Sequence, residues 1–280
     1  MDLDKFYNWT LIGWRDAFDT LKVYFEDHKL NLNFISTDKV INDEKFYTND
    51  NIIIASTFKR YSMKEMQKLI DIFSERISSQ ILRKKNPNII YLSSSSVYGL
   101  SSSKDSFTEN ALENPYNEYA FEKLIFENLL VKLAEETQGK CIILRAAGFF
   151  GKYKLFGKST NIIDILYESN LLQKKISLDI EYGGCQVRDF IHINDLFEIL
   201  SLFAKNINKI QKKSNKEIFN VSNNKKYRIK DILNIVQSNN KNIQINYDNK
   251  LANKIHNSLD NKKLVNLLGK EEFIQIEDYI

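Results

Sequence analysis

The feature that most constrains the fold is a regular alternation of short apolar runs with longer amphipathic segments over the first half of the chain. Strands are predicted at five apolar runs, residues 11–12, 32–36, 52–55, 89–92 and 141–144. Between the runs, apolar side chains recur at helical spacing, most clearly over 63–82 and 119–133. Strands that alternate with helices form parallel βαβ units with helices on both faces of one sheet. The sequence therefore predicts an α/β fold with a doubly wound parallel sheet.

The pattern breaks into shorter pieces after about residue 150. A short apolar stretch at 162–167, a helix at 194–203 and a strand at 218–221 are predicted there. We expect a larger domain over residues 1–150, to which 187–222 returns, and a smaller C-terminal lobe over 151–280.

Composition excludes several classes of protein. At 280 residues the chain can bury a sizeable core, and no apolar run approaches the roughly 20 residues that span a bilayer. The first residues lack the pattern of a secretion signal, so we expect a cytoplasmic protein with no membrane partner. Cys141 and Cys185 do not have a metal-ligand spacing, and no metal site is expected. The net charge of +4 is not concentrated in a basic stripe, which argues against nucleic-acid binding.

One constellation of residues carries chemistry. The predicted strand at 89–92 runs into the stretch SSSSVYG, and Tyr119 and Lys123 follow in YAFEK. Residues four apart share one face of a helix, so the Lys123 ammonium can lie beside the Tyr119 phenol. A nearby cation favours the phenolate, so we expect Lys123 to lower the pKa of Tyr119 and to suit it to acid/base work. By itself such a pair also arises by chance on the surface of a helix.

The order of the motifs is more specific than any one of them. SSSSVYG, NPYNEYAFEK, IILRAAGFFG and VRDFIHINDL follow one another, and IFNVSNNKKYRIKDILNIV and LDNKKLVNLLG come later. In this order and spacing the chain resembles the extended short-chain dehydrogenase/reductase family, in its branch of nucleotide-sugar epimerases, dehydratases and reductases. The resemblance spans nearly the whole chain and implies a Rossmann-like fold.

The resemblance also implies roles for individual residues. Ser94 would take the catalytic serine position, Tyr119 would be the acid/base, and Lys123 would hold the nicotinamide ribose. Arg188 would contact the diphosphate of a nucleotide-sugar substrate, a task that suits a guanidinium. The alternative for Arg188 is a surface ion pair with Asp189 or Asp195.

The cofactor loop departs from the family pattern. The three glycines of the family's GxxGxxG become Gly13, Asp16 and Asp19 in this chain. Gly13 can still make the tight turn, and a helix that begins near Trp14 still offers backbone N–H groups to an anion. Arg15 could add positive charge near a phosphate, or it could be a solvated residue of the first helical turn. Binding of NAD or NADP is expected, in a weakened or rearranged form.

The adenosine end is also altered. Asp38, placed by the sequence at the end of the second strand, matches the acid that binds the adenosine ribose, and Ala55 matches a further cofactor-binding position. Too few residues separate Asp38 from Ile52 for another helix and strand. We therefore expect a sheet shortened by about one strand-helix unit.

On the substrate side, Ser95 and Ser96 stand where the 4,6-dehydratases carry an Asp-Glu pair, so dehydration is the least expected activity. The family's RxxNxxG becomes Arg145, Gly148 and Gly151, without the asparagine. The sequence thus predicts an NAD(P)-dependent nucleotide-sugar epimerase or ketoreductase of surface-polysaccharide (lipopolysaccharide or capsule) biosynthesis, and the resemblance implies a homodimer. The alternative is a non-catalytic protein of this fold that has lost normal cofactor binding.

Overall fold

The computed structural model describes residues 8–43, 46–56, 63–151, 162–210, 216–248 and 256–280. Its strands are β1 Asn8–Ile12, β2 Asn31–Ile35, β3 Asn51–Ile54, β4 Asn88–Ser94, β5 Lys140–Ala146, β6 Gly148–Phe150, β7 Ile176–Ile180, β8 Val187–Arg188, β9 Phe190–His192, β10 Lys216–Val221, β11 Tyr227–Arg228, β12 Ile243–Tyr247 and β13 His256–Asn257. Its α-helices are α1 Arg15–Asp27, α2 Thr37–Asn42, α3 Met63–Leu82, α4 Glu118–Glu136, α5 Ile162–Leu171, α6 Ile193–Asn206, α7 Ile229–Asn239, α8 Lys262–Leu268 and α9 Ile276–Tyr279.

By contact density the chain divides into two compact units. The first comprises Met1–Val97, Pro115–Arg145 and Phe197–Phe219, and the second comprises Tyr98–Asn114, Ala146–Leu196 and Asn220–Ile280. The predicted division into a larger domain over 1–150, to which 187–222 returns, and a smaller C-terminal lobe over 151–280 stays a prediction.

The first unit is organised around a six-stranded sheet in the order β10-β5-β4-β3-β1-β2. The pairs β1 with β2, β1 with β3, and β3 with β4 are parallel. Ile12 lies opposite Ile35 on one side and Ile54 on the other, so these three strands end at the same level. The doubly wound, Rossmann-like sheet predicted from the sequence is confirmed.

Helices cover the sheet because their apolar stripes match its apolar strands. Phe73 of α3 and Phe126 of α4 meet edge to face, 5.5 Å between ring centroids, within the cluster of buried residues that contains Ile54, Ile89 and Tyr91. α1 meets α6 through Tyr24 and Phe197. α3 matches its predicted range, 63–82, and α4 extends beyond its predicted range, 119–133, at both ends.

The sheet is short on the side of β2, as expected. Within the described residues β2 pairs with β1 alone, and the chain passes from β2 through the six-residue helix α2 directly to β3 on the far side of β1. The predicted loss of a strand-helix unit is therefore confirmed for this part of the chain.

The second unit holds small sheets and its own core. Its sheets are β11-β8-β13, β12-β7 and β6-β9. α5 and α7 pack on the same core through Leu166 and Leu233, beside Phe150 and the C-terminal Ile276. Among the described helices, none is long and apolar enough to cross a membrane.

Candidate active site

Ser94 is the last residue of β4, at the carboxyl edge of the first unit's sheet. The chain turns there into a 3-10 helix, Ser95–Tyr98, and this turn folds Ser96 back onto Ser94. The Ser94 hydroxyl oxygen accepts hydrogen bonds from the Ser96 backbone N–H at 3.2 Å and from its hydroxyl at 3.0 Å. Ligands of parallel α/β sheets collect at this edge, so Ser94 lies where a substrate can be met.

Tyr119 is presented by the first turn of α4. The helix is capped by Asn117, whose side-chain oxygen accepts from the Ala120 backbone N–H at 2.9 Å. The Tyr119 phenol makes a side-chain hydrogen bond with Ser94. Burial of the phenol raises the pKa of Tyr119 to about 12, against the bond to Ser94, which lowers it. The structure therefore brings Ser94 and Tyr119 together, with the phenol protonated at neutral pH.

Lys123 lies one helical turn beyond Tyr119 and is buried. Its ammonium donates to the backbone oxygens of Ser56, at 3.0 Å, and Leu92, at 3.1 Å. The same nitrogen lies 5.1 Å from the ring centroid of Tyr91 and 5.6 Å from that of Tyr119. Burial lowers the pKa of Lys123 to about 8, while the Glu122 and Glu127 carboxylates raise it.

The expected lowering of the Tyr119 pKa by Lys123 is not found in this structure. The physical reason is that desolvation of the phenol dominates, and the nearby Glu122 carboxylate acts in the same direction. The Lys123 ammonium, for its part, is directed at two backbone carbonyls and at the faces of two rings. In this arrangement Tyr119 is a neutral phenol and not a phenolate at neutral pH.

Gly13 follows β1 and holds a conformation that favours glycine, with φ +83°. A Cβ at this position would lie 2.5 Å from the Ser56 hydroxyl oxygen and 2.8 Å from the Ser56 Cα. The Gly13 N–H donates to the Ile35 carbonyl at 2.9 Å. The first glycine of the loop is thus retained for a close approach of the β1 and β3 ends.

The residues after Gly13 form a compact turn into α1. Trp14 has left-handed backbone angles, φ 52° and ψ 51°, and its indole packs on Phe197, 5.6 Å between centroids. The exposed Arg15 begins the helix, and its guanidinium lies 5.2 Å from the ring centroid of Phe34 in β2. Asp16 is exposed in the first turn.

Ala55 and Ser56 follow β3 beside this turn. The Ala55 N–H donates to the Ile12 carbonyl at 2.9 Å. The buried Ser56 hydroxyl oxygen accepts from the Thr37 hydroxyl at 3.0 Å, and the Ser56 carbonyl accepts from Lys123. Ser56 therefore connects the Gly13 turn, the start of α2 and Lys123. Sequence reasoning singled out Ala55 but not Ser56, and a serine after an apolar strand carries no distinctive pattern.

Asp38 is not at the end of the second strand, where the sequence placed it. β2 ends at Ile35, Ser36 caps α2 by accepting from the Lys39 backbone N–H at 3.0 Å, and Asp38 is exposed in the first turn of that helix. The reason is that Ser36 can cap a helix immediately after the strand, which carries Asp38 beyond the strand end.

The predicted substrate-side residues lie in both units. Ser95 is buried in the turn after β4, and Ser96 is half-buried and bonded to Ser94. Arg188 is half-buried in β8 of the second unit, between Tyr227 of β11 and Asn257 of β13, and donates to the Val187 carbonyl at 2.8 Å.

The two acids considered as partners of Arg188 make other bonds. Asp189 accepts from the Leu259 N–H at 2.7 Å, and Asp195 pairs with Lys270 at 3.0 Å. Burial raises the pKa of Asp189 to about 7, although the bond from Leu259 lowers it.

The site offers different surroundings to the two ends of a dinucleotide. Gly13 makes the tight turn that such a cofactor loop needs, with Ser56 filling the space beside it, and the Tyr119 and Lys123 pair suits a nicotinamide ribose. The adenosine end fits less well, because Asp38 lies exposed in α2 and not at the end of β2, and because no further strand pairs with β2 in the described ranges. The loop and the nicotinamide side can hold the cofactor, with a more open adenosine side.

A buried ion pair next to this site was also missed by sequence reasoning. Glu127 of α4 and Arg145 of β5 lie 2.6 Å apart and both side chains are fully buried. The sequence offered one signal for this pair: Glu127 is a charged residue within the apolar stripe of α4, and Arg145 is a charged residue within the apolar strand β5. Among the described residues, no group of three or more His, Cys, Asp or Glu could hold a metal ion.

The fold and the site together define a class. A Rossmann-like sheet with a serine after β4, and a tyrosine and lysine four residues apart on α4, is the arrangement of an extended short-chain dehydrogenase/reductase. A model of the NAD dependent epimerase/dehydratase family matches residues 46–222. The chain belongs to that family, as the sequence predicted.

Similar proteins agree with this assignment. The chain is 28% identical over 211 residues to an ADP-L-glycero-D-manno-heptose-6-epimerase of Brachyspira hyodysenteriae, a match that covers 73% of this chain but 62% of that protein's length. The fold is similar to a UDP-glucose 4-epimerase of Thermotoga maritima with UDP-glucose, with a TM-score of 0.77, 16% identity and coverage of 97% and 96% of the two chains. It is also similar to RMD of Pseudomonas aeruginosa complexed with NADPH, with a TM-score of 0.71, 14% identity and coverage of 96% and 95%. The expected cofactor class, NAD or NADP, agrees with the NAD dependent family and with the NADPH complex of the Pseudomonas aeruginosa neighbour.

Proposed function

We propose that the chain is an NAD(P)-dependent epimerase or ketoreductase that acts on a nucleotide-diphosphate sugar. The observation that carries the proposal is the hydrogen bond between Tyr119 and Ser94, with Lys123 one turn away, in a chain of this family. Lipopolysaccharide or capsule biosynthesis is the setting we propose, since the curated relative is named as a heptose epimerase.

Each site residue has its own role in the proposed hydride and proton transfer. A bound nicotinamide would exchange a hydride with a sugar carbon. In the direction of reduction, Tyr119 gives its phenolic proton to the oxygen on that carbon, and Ser94 hydrogen-bonds the same oxygen. Lys123 would hold the nicotinamide ribose of the bound cofactor, and Arg188 would bind the diphosphate of the substrate. In the direction of oxidation, the phenolate takes the hydroxyl proton back.

The first test asks whether the protein carries its cofactor. Purified protein is denatured and the released small molecules are identified by mass spectrometry, with NAD or NADP expected. A panel of nucleotide sugars then identifies a substrate by calorimetry and turnover.

Tyr119→Phe should abolish turnover of that substrate without loss of the fold, because it removes only the phenolic hydroxyl and keeps the ring. The matched control is Tyr116→Phe, an exposed tyrosine outside the helix, which should keep the wild-type rate. A Tyr119→Phe variant that kept near wild-type turnover would show that this phenol does not move the proton.

One set of observations favours a second candidate, a non-catalytic binding protein of this fold. The glycine loop carries Asp16 and Asp19, and β2 is the outermost strand of the sheet that the described residues form. If the chain is such a binding protein, the denatured sample should contain no dinucleotide. A calorimetric titration with NAD(P) should then show no heat of binding. We propose a homodimer for either candidate, as the resemblance implies, with light scattering as its test.

A further inference from the structure

The carboxylate of Glu127 is the centre of a small buried network beside the candidate active site. The Ser93 hydroxyl donates to Oε1 of Glu127 at 2.6 Å. Arg145 donates through Nε to Oε1 at 3.1 Å and through Nη2 to Oε2 at 2.6 Å. These three residues are 3% exposed or less. Both carboxylate oxygens are therefore engaged, in a bidentate pair and one short hydroxyl bond.

The network joins the elements that carry the proposed chemistry. Ser93 immediately precedes Ser94 on β4, and Glu127 lies on the α4 face that carries Tyr119 and Lys123, because these positions are four residues apart. Arg145 extends the same connection to β5.

Stability alone is a weak explanation for such a pair. Taking two charges out of water costs as much as their attraction returns, and apolar residues of similar volume are often equally stable. A fully buried carboxylate one turn from a buried ammonium has, in addition, an electrostatic effect on that ammonium that an apolar residue would lack.

We propose that Glu127 is a positioning residue of the candidate active site, which fixes the end of β4 against α4 so that Ser94 meets Tyr119, and which keeps the Lys123 ammonium charged. The role rests on the proposed function, since positioning matters only if Ser94, Tyr119 and Lys123 act. The charge on Lys123, however, can be measured without a cofactor or substrate.

The groups around Lys123 set the direction of the effect. On α4 these are Tyr119, Glu122 and Glu127, and on β4 the ring of Tyr91. Arg145 on β5 lies behind Glu127. Burial lowers the pKa of Lys123, and the two carboxylates raise it. Loss of the Glu127 charge therefore lowers the pKa of Lys123 further, and the Arg145 cation left behind acts in the same direction.

The experiment follows the side-chain NMR chemical shift of Lys123 against pH, in the whole protein made with 13C-labelled lysine and without added ligands, because this signal reports protonation of a buried ammonium directly. Glu127→Gln should move the midpoint of Lys123 down by about one pH unit, the effect of an opposite charge at close range. Glu135→Gln is the matched control, because Glu135 is an exposed acid on the same helix, and it should leave the midpoint unchanged.

A second variant covers the case in which Glu127→Gln does not fold with Arg145 unpaired. Glu127→Gln combined with Arg145→Met removes both charges, and its Lys123 midpoint should also lie below that of the wild type. A folded variant of either kind with the wild-type midpoint overturns the proposal.

Dinucleotide affinity, measured by calorimetry on the same proteins, tests the positioning. The folded double variant should bind NAD(P) at least about tenfold more weakly, whereas Glu135→Gln should bind as the wild type does. Equal affinity of the double variant and the wild type contradicts a positioning role. A wild type that binds no dinucleotide contradicts the proposed function instead, and the Lys123 titration midpoints then decide whether Glu127 sets the charge of Lys123.

Discussion

Gly13→Ala tests whether the turn after β1 is still a constrained part of the fold. A Cβ at this position would meet the Ser56 hydroxyl oxygen at 2.5 Å, which can rotate away, but also the Ser56 Cα at 2.8 Å and backbone nitrogen at 2.9 Å, which cannot. Overpacking of this kind costs typically 1–3 kcal/mol, and a left-handed φ adds about 1 kcal/mol for a residue with a side chain. We therefore expect a loss of about 3 kcal/mol in the free energy of unfolding.

Gly269→Ala is the matched control for the backbone contribution. Gly269 has φ +66° at the end of α8, and a Cβ there would have nothing within 4 Å. This variant should lose only about 1 kcal/mol. Urea unfolding followed by circular dichroism gives both values. Equal losses for the two variants would refute the argument, because the contact with the Ser56 backbone would then cost nothing.

Three further predictions follow from single residues. Asp16→Gly should leave affinity for NAD(P) unchanged or improve it in calorimetry, because an exposed carboxylate in the first turn of α1 repels phosphates; lost binding would mean that Asp16 contacts the cofactor. Tyr91→Phe should raise the free energy of unfolding by about 1 kcal/mol, because the buried hydroxyl has no hydrogen-bond partner in the described structure, and a destabilised variant would contradict this. Burial lowers the pKa of Lys123 from 10.5 to about 8 in the folded protein, so stability should fall as the pH is lowered from 10.5 to about 8, where the unfolded chain is protonated and the folded protein is not. Lys123→Met should remove this pH dependence, and an unchanged pH profile of urea midpoints would argue against it.

The sequence predicts those parts of the fold that depend on local periodicity. The strands around Ile53 and Ile90 and the helices α3 and α4 follow from apolar spacing that each segment carries by itself. The closeness of Ser94 and Tyr119 could also be predicted, because parallel strands and the helices that follow them deliver their residues to one edge of the sheet. The shortened sheet follows from the small number of residues between Asp38 and Ile52.

The contacts that sequence reasoning missed depend on distant partners. Glu127 and Arg145 meet only when α4 and β5 are packed, and Ser56 meets Lys123 only in the folded sheet. The position predicted for Asp38 was wrong because α2, which Ser36 caps, begins soon after β2, and apolar periodicity did not indicate this short helix. The pKa of Tyr119 could not be predicted either, since it depends on how deeply the phenol is buried.

The end of the described sheet at β2 has a consequence for association between molecules. An outermost strand exposes a row of backbone N–H and C=O groups, on which a strand of another chain can add. β2 is only five residues long, and Asn31 and Asn33 are exposed along it. Arg15 also places its positive charge over Phe34, the partly exposed apolar residue of the strand. A short, amide-rich edge with a cation over its aromatic ring gives an incoming strand little apolar surface, which protects the shortened sheet from aggregation.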